Sequence, residues 1–386
     1  MLFIHDHTFV SKDGKYYTTG SLNQKVMDRY KSWFGNCSVF ATTRKAQEKD
    51  SAFIKEENKV EGIDFKLVSK KNSIKHLINI CKPMENAVKE SDCIVVRMSI
   101  FGAIGIHYAR KYNIPYMVEM VACPWDSLWY HSIKGKILAP FMTALTKKVC
   151  KQAKYVLYVT NKFLQKRYPS YGKQVGCSDV ELLDIDSEVY KKRLDKIKKT
   201  DLKGKTLKLC TVANIGVRYK GQEIVIRSLK KLSAKGINCE YYLIGGGDST
   251  RIKKIIKEEG VENKVHIIGP VPHEKVFDYI DKIDIYVQPS NQEGLPRAVI
   301  EAMSRGCPII GSSTGGIPEL INSNMVFKKG SVNAFCKVMD TLTNEKLYKC
   351  AKQNYKKSFE YEKEYLDKKR SNFYMDFASC VKKEKM

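Results

Sequence analysis

The stretch Val287–Leu320, VQPSNQEGLPRAVIEAMSRGCPIIGSSTGGIPEL, admits few folds. Asp284–Val287 closes a β-rich run. Pro296 stands where a first helical residue would, because a proline loses no bond at a position whose N–H is unpaired anyway. Val299, Ala302 and Met303 recur at helical spacing and make one apolar face. Gly306 suits the left-handed position just past a helix end, and Pro308 prevents resumption. Cys307–Gly311 then reads as a short apolar strand, and Thr314-Gly-Gly-Ile-Pro318 turns into another helix start. Strand, helix and strand in this order form a βαβ unit, which commits the chain to a parallel sheet covered by helices.

Two carboxylates mark the unit. Glu293 lies in the loop before the helix and Glu301 inside it, on a face away from Val299 and Met303. Helical side chains lean toward the N-terminus, so Glu301 reaches back toward the mouth where Glu293 stands. The first turn offers free amides and positive dipole character, an anion site. Acids beside an anion site suit a ligand with both phosphate and sugar hydroxyls, the amides taking the first and the carboxylates the second.

Five landmarks then agree in order: Arg218-Tyr-Lys-Gly221, Leu243-Ile-Gly-Gly-Gly-Asp248, Gly269-Pro-Val-Pro272, Asp284-Ile-Tyr-Val-Gln-Pro-Ser290 and the Glu293/Glu301 helix. From about Leu207 to Leu320 the chain resembles the retaining, nucleotide-sugar-dependent glycosyltransferases of family 4. The resemblance implies an α/β fold of two Rossmann-like domains facing a cleft, the glycosyltransferase B type, with a C-terminal helix crossing back to the first domain. The implied division is 1–195 for an acceptor domain, 196–355 for a nucleotide-sugar domain and 356–386 for the returning helix. It implies that Glu301 binds ribose hydroxyls and Glu293 contacts the transferred sugar. The amides of Leu295, Arg297 and Ala298, next to Gly294, would hold the diphosphate with Lys220 and Arg218. Gly245 would lie on the phosphate or nucleoside side, and the loop at Val271 would meet the base. The basic residue this family usually carries five positions before Lys220 is Ile215 here, and Arg218 substitutes for it. Many members place a histidine where this chain has Val121; Glu119, Asp126 and His131 are the polar candidates nearby, with Asp126 and His131 expected on the acceptor side.

Charge bounds the partners. The 386 residues carry a net charge of +26, more than a nucleotide sugar requires. Ser127–Ser178 holds no Asp or Glu, while lysines and arginines from Lys134 to Lys173 crowd it. Acid excluded from one segment points to an anionic interface, and an anionic membrane surface is the partner expected. A lysine-rich proteome would raise the charge without one. Nucleic acid is not expected, because neither aromatic–basic interleaving nor zinc-finger spacing occurs. No apolar run approaches the roughly 20 residues that span a bilayer, and the N-terminus lacks a secretory pattern. Twelve scattered cysteines without a CxxC pair read as reduced thiols. The expected place is therefore the cytoplasm, at the cytoplasmic face of a membrane.

The first half alternates strands and helices. Met1–His5 reads as a strand and Asp6–Gly20 as a long polar loop, in which Gly20 would let a ligand approach the backbone. His5, Asp6 and His7 lack further ligands, so no metal is expected, and no other cofactor. Ser21–Phe34 reads as a helix, Cys93–Arg97 as a strand, and Ile133–Tyr155 as a basic amphipathic helical region interrupted at Pro140. Ser187–Lys205 reads as helix and linker. The function expected is transfer of a sugar from a nucleoside diphosphate to a saccharide or lipid-linked saccharide in surface polysaccharide or glycan synthesis. A sugar epimerase or phosphorylase on the same frame is the alternative, with a basic nucleic-acid-binding protein a more distant one.

Overall fold

The computed structural model describes residues 1–18, 22–50, 54–70, 74–180, 182, 185–202 and 204–385. Two sheets organise them. The first contains β1 (Leu2–Lys12), β2 (Lys15–Tyr17), β3 (Ser38–Lys45), β4 (Lys59–Val60), β5 (Asp64–Ser69), β6 (Ile94–Arg97), β7 (Tyr116–Met120), β8 (Tyr155–Tyr158) and β9 (Lys173–Gly176). Its parallel strands run in the order β5-β3-β1-β6-β7-β8-β9, and the short β2 and β4 are added antiparallel beside the far end of β1. The second sheet is wholly parallel. It contains β10 (Leu207–Val212), β11 (Cys239–Ile244), β12 (Val265–Gly269), β13 (Ile285–Gln288), β14 (Ile309–Ser312) and β15 (Val326–Phe327), in the order β12-β11-β10-β13-β14-β15.

The first sheet is buried on both faces, as parallel sheets require. Alternate residues of one strand enter different cores. Phe3, Val95, Met117 and Leu157 pack on one side, against the helices Gln24–Phe34 and Lys363–Lys385. Leu2, Ile4, Val96, Val118 and Val156 pack on the other, against Ile74–Lys89, Ile100–Lys111 and Ile133–Gln152. The final helix therefore does cross back onto the first sheet. Its Phe373 and Phe377 meet Tyr155 edge-on, Phe377 meets Phe34, and the Tyr374 hydroxyl donates to Glu119.

Several expectations need correction. Asp6–Gly20 is not a polar loop. β1 runs on to Lys12, slipping register between Ile4 and Thr8, and turns into β2. The slip places polar residues inside a strand, which disguised it. Gly20 itself lies outside the described residues. Pro140 does not interrupt its helix, which is continuous over Ile133–Gln152. Pro296 is the cap residue rather than the first helical one, and the helix is Arg297–Ser304.

Candidate active site

Parallel strands of an α/β sheet present ligands at their carboxyl ends, and the two sheets face each other there. Between them lies a cleft of about 530 Å³. Asn23, Lys25, Val26, Arg29, Arg97, Val121, Val159 and Asp179 line it from the first half of the chain, and His273, Leu295, Arg297 and Glu301 from the second.

The second wall is set by the Arg297–Ser304 helix. Its first-turn amides have no intrahelical acceptor, and the Pro296 cap supplies no side-chain one. Arg297 adds a full charge at the same mouth. Glu301 is nearly buried, its side chain 11% exposed, and lies 3.1 Å from Nε2 of His273. The hydrogen bond to that carboxylate raises the His273 imidazole above the ordinary histidine value, against the opposing pull of burial. His273 was not singled out from sequence, although it directly follows the Gly269–Pro272 landmark.

Glu293 takes a different position. Its Oε1 accepts from Lys220 Nζ at 2.7 Å and from Gln288 Nε2 at 3.0 Å, and its side chain is 9% exposed. It is thus held as a buried ion pair and is absent from the cleft lining, where Glu301 is present. Gly221 makes the pair geometrically possible. Its φ is +70°, and a Cβ there would stand 2.2 Å from the Pro289 carbonyl, so only glycine lets the Lys220 loop close on the end of β13. Arg218 is exposed and has no ion pair among the described residues.

The remaining candidates divide. Leu295 and Arg297 line the cleft, while Ala298 packs partly against the core. Gly294 serves the approach of the two halves: a Cβ on it would meet the Val121 carbonyl at 2.7 Å. Gly245 ties two strand ends together, its amide donating to the Gly269 carbonyl at 2.9 Å, and Val271 is half-buried beside them. Asp126 is buried in the short Pro124–Trp129 helix and His131 is exposed; neither is among the cleft-lining residues. Glu119 points into the first domain instead. It pairs with Arg97 at 3.1 Å and accepts from Tyr30 at 2.8 Å. Its partner Arg97 is the group that reaches the cleft wall. Among the described residues no cluster of three or more metal-ligand side chains occurs.

Two facing α/β sheets, their parallel strands ending at a shared cleft, make a fold of the glycosyltransferase B type. Solved structures agree on the fold. The sucrose-phosphate synthase of Thermosynechococcus elongatus superposes with a TM-score of 0.68 at 15% identity, over 98% of this chain and 99% of that one. Anabaena HepE, solved with UDP, gives 0.62 at 14% identity over 96% and 98%. The group 1 glycosyl transferase family matches residues 192–358. Protein CapJ of Staphylococcus aureus is 31% identical over 357 residues, covering 90% of this chain and 88% of CapJ. The amylovoran biosynthesis glycosyltransferase AmsK of Erwinia amylovora is 34% identical over 136 residues, 33% of each chain. The protein belongs to the group 1 glycosyl transferases, and its relatives include enzymes of polysaccharide biosynthesis.

Proposed function

We propose that this enzyme is a retaining, family 4 glycosyltransferase that moves a sugar from a nucleoside diphosphate to a saccharide or lipid-linked saccharide during polysaccharide synthesis. The observation that carries the reading is the helix mouth: bare first-turn amides and Arg297 beside a buried carboxylate, Glu301, in one cleft. Residues 196–355 would hold the donor, residues 1–195 the acceptor, and 356–386 would return to brace the acceptor domain.

In this reading Glu301 accepts from the ribose hydroxyls, and His273 fixes its orientation. The Leu295, Arg297 and Ala298 amides, with Arg297 and Lys220, take the charge that grows on the diphosphate as the C1–oxygen bond breaks. Preorganised cations acting on the leaving group are the main catalytic lever. They can do so without a metal or other cofactor. Glu293 releases part of its hold on Lys220 to meet the sugar hydroxyls when the donor enters. In retention by front-face attack, the acceptor oxygen bonds to C1 on the side the diphosphate leaves, and a diphosphate oxygen takes the acceptor proton. The acid-free segment 127–178 supports work in the cytoplasm, at an anionic membrane face.

The test is a nucleotide-sugar screen read by thermal stabilisation and by slow donor hydrolysis. UDP-sugars come first, because the similarly folded HepE was solved with UDP. Glu301→Ala and Glu293→Ala are each expected to lower transfer by about a hundredfold or more, within the range for removing a preorganised polar group from a reacting site, while circular dichroism stays unchanged. Unchanged turnover in both variants would overturn the assignment.

A further inference from the structure

The helix Ile133–Gln152 leaves a row of large apolar side chains without a cover. Ile133, Ile137, Phe141 and Leu145 repeat every fourth residue, and the first three are 80%, 65% and 70% exposed. Such a row on a water-facing helix surface is costly unless something covers it. The opposite face is occupied: Ala139 and Cys150 are buried, Cys150 against the first sheet. The helix is also fixed in place. A Cβ on its Gly135 would stand 2.2 Å from the Leu128 carbonyl, so it packs closely on Pro124–Trp129.

Beside Leu145 the helix forms a groove with Ile100–Lys111. The groove measures about 410 Å³, and its walls include His107, Arg110, Lys111 and Lys148, with no Asp or Glu among its lining residues. Arg110 is held by Gln152 at 2.6 Å, and Lys111 by Glu85 at 3.0 Å. Lys134, Lys136, Lys147 and Lys151 are exposed on the same helix.

We infer that this face docks on an anionic phospholipid membrane, with the apolar row inserted among the acyl chains and a lipid phosphate seated in the groove between Arg110 and Lys148. The inference rests on the membrane-face reading above and gives it a surface and a headgroup site. Charge complementarity selects the occupant. Apolar burial alone would serve a second copy of the chain, but two copies would bring these lysines together, whereas anionic headgroups neutralise them. The placement also suits a lipid-linked acceptor. The neighbouring Pro124–Trp129 helix touches the second domain, where Gln292 donates to Ser127 at 3.2 Å and Lys329 lies over the Tyr130 ring. A bilayer against the apolar row would therefore lie near one end of the interdomain seam.

The test is co-sedimentation of the full chain with phosphatidylcholine vesicles, with and without phosphatidylglycerol. The wild type should bind only the anionic vesicles, and more weakly as salt rises. Each lysine or arginine near such a surface contributes about fivefold to binding. Arg110→Ala with Lys148→Ala should therefore lower the partition coefficient by roughly 25- to 30-fold. Ile137→Ser with Phe141→Ser should lower it at high salt, where the apolar part remains. Donor hydrolysis without vesicles is measured in parallel, because it reports on the catalytic reading alone and should be equal in all these variants. Equal binding to neutral vesicles, unchanged binding by the Arg110/Lys148 variant, or a concentration-dependent dimer abolished by Phe141→Ser would each overturn the inference.

Discussion

Burial acts on two histidines in a way that solution measurements can read. His5 and His7 lie at the register slip of β1. Burial, aided by the nearby Arg97 guanidinium, pulls each imidazole down to about 4. In the unfolded chain both take up protons near 6.5. Between these values the unfolded state binds more protons than the folded state, so stability is full above pH 6.5 and is lost as pH falls toward 4. The urea midpoint should drop across that window and flatten in His5→Gln/His7→Gln; a level wild-type profile would refute it. A second residue-level expectation concerns Glu119. With Arg97 4% exposed beside it, Glu119→Ala removes the nearer carboxylate from a buried charge and leaves it Asp179 at 3.9 Å, so it should cost roughly 3 kcal/mol in denaturant unfolding, the low end for a broken buried pair. Residue chemistry was only partly legible in the sequence. Glu301 and Lys220 stood out because glycine and proline punctuation fixes their neighbours. Arg97, Asp179 and His273 did not, because only the topology brings β6, the segment after β9 and the segment after β12 to one cleft.

Between elements, one carboxylate joins the two halves. Glu319, from the Ile317–Leu320 turn, accepts the backbone amides of Asn161, Lys162 and Phe163 at 2.8, 2.8 and 3.0 Å. The same turn is anchored by the Gly316 amide on the Gly294 carbonyl at 2.7 Å, next to Glu293. This contact between the halves thus adjoins the Glu293 loop. Glu319→Ala should cost only about 1–2 kcal/mol in stability, since the freed amides can bond to water. It should nevertheless widen the molecule in small-angle scattering and lower kcat/KM more than it raises donor Kd; unchanged scattering and kinetics would count against a closing role. The βαβ order around this turn was legible, because short apolar strands and capped helices alternate there. Of β1 only the first part was legible, because its bulge sets His5, Asp6 and His7 where a plain strand would carry apolar alternation.

At the scale of the molecule, one apolar core runs from the first sheet, under the final helix, into the second sheet. Tyr374 joins it, 2% exposed and bonded to Glu119. Tyr374→Ala should cost about 3–5 kcal/mol, as for other buried aromatic truncations, and calorimetry should show both halves melting earlier in one transition. Two separated transitions, with only the first half shifted, would refute a shared core. The seal over the first sheet also has a consequence for synthesis. Lys363–Lys385 leaves the ribosome after every strand of both sheets. Until it arrives, Tyr155, Phe34 and the Glu119–Arg97 pair stand uncovered on a nascent chain whose later half can already be complete. The half made first is therefore the half finished last, and the period in which a chaperone has something to hold is written into the order of the elements.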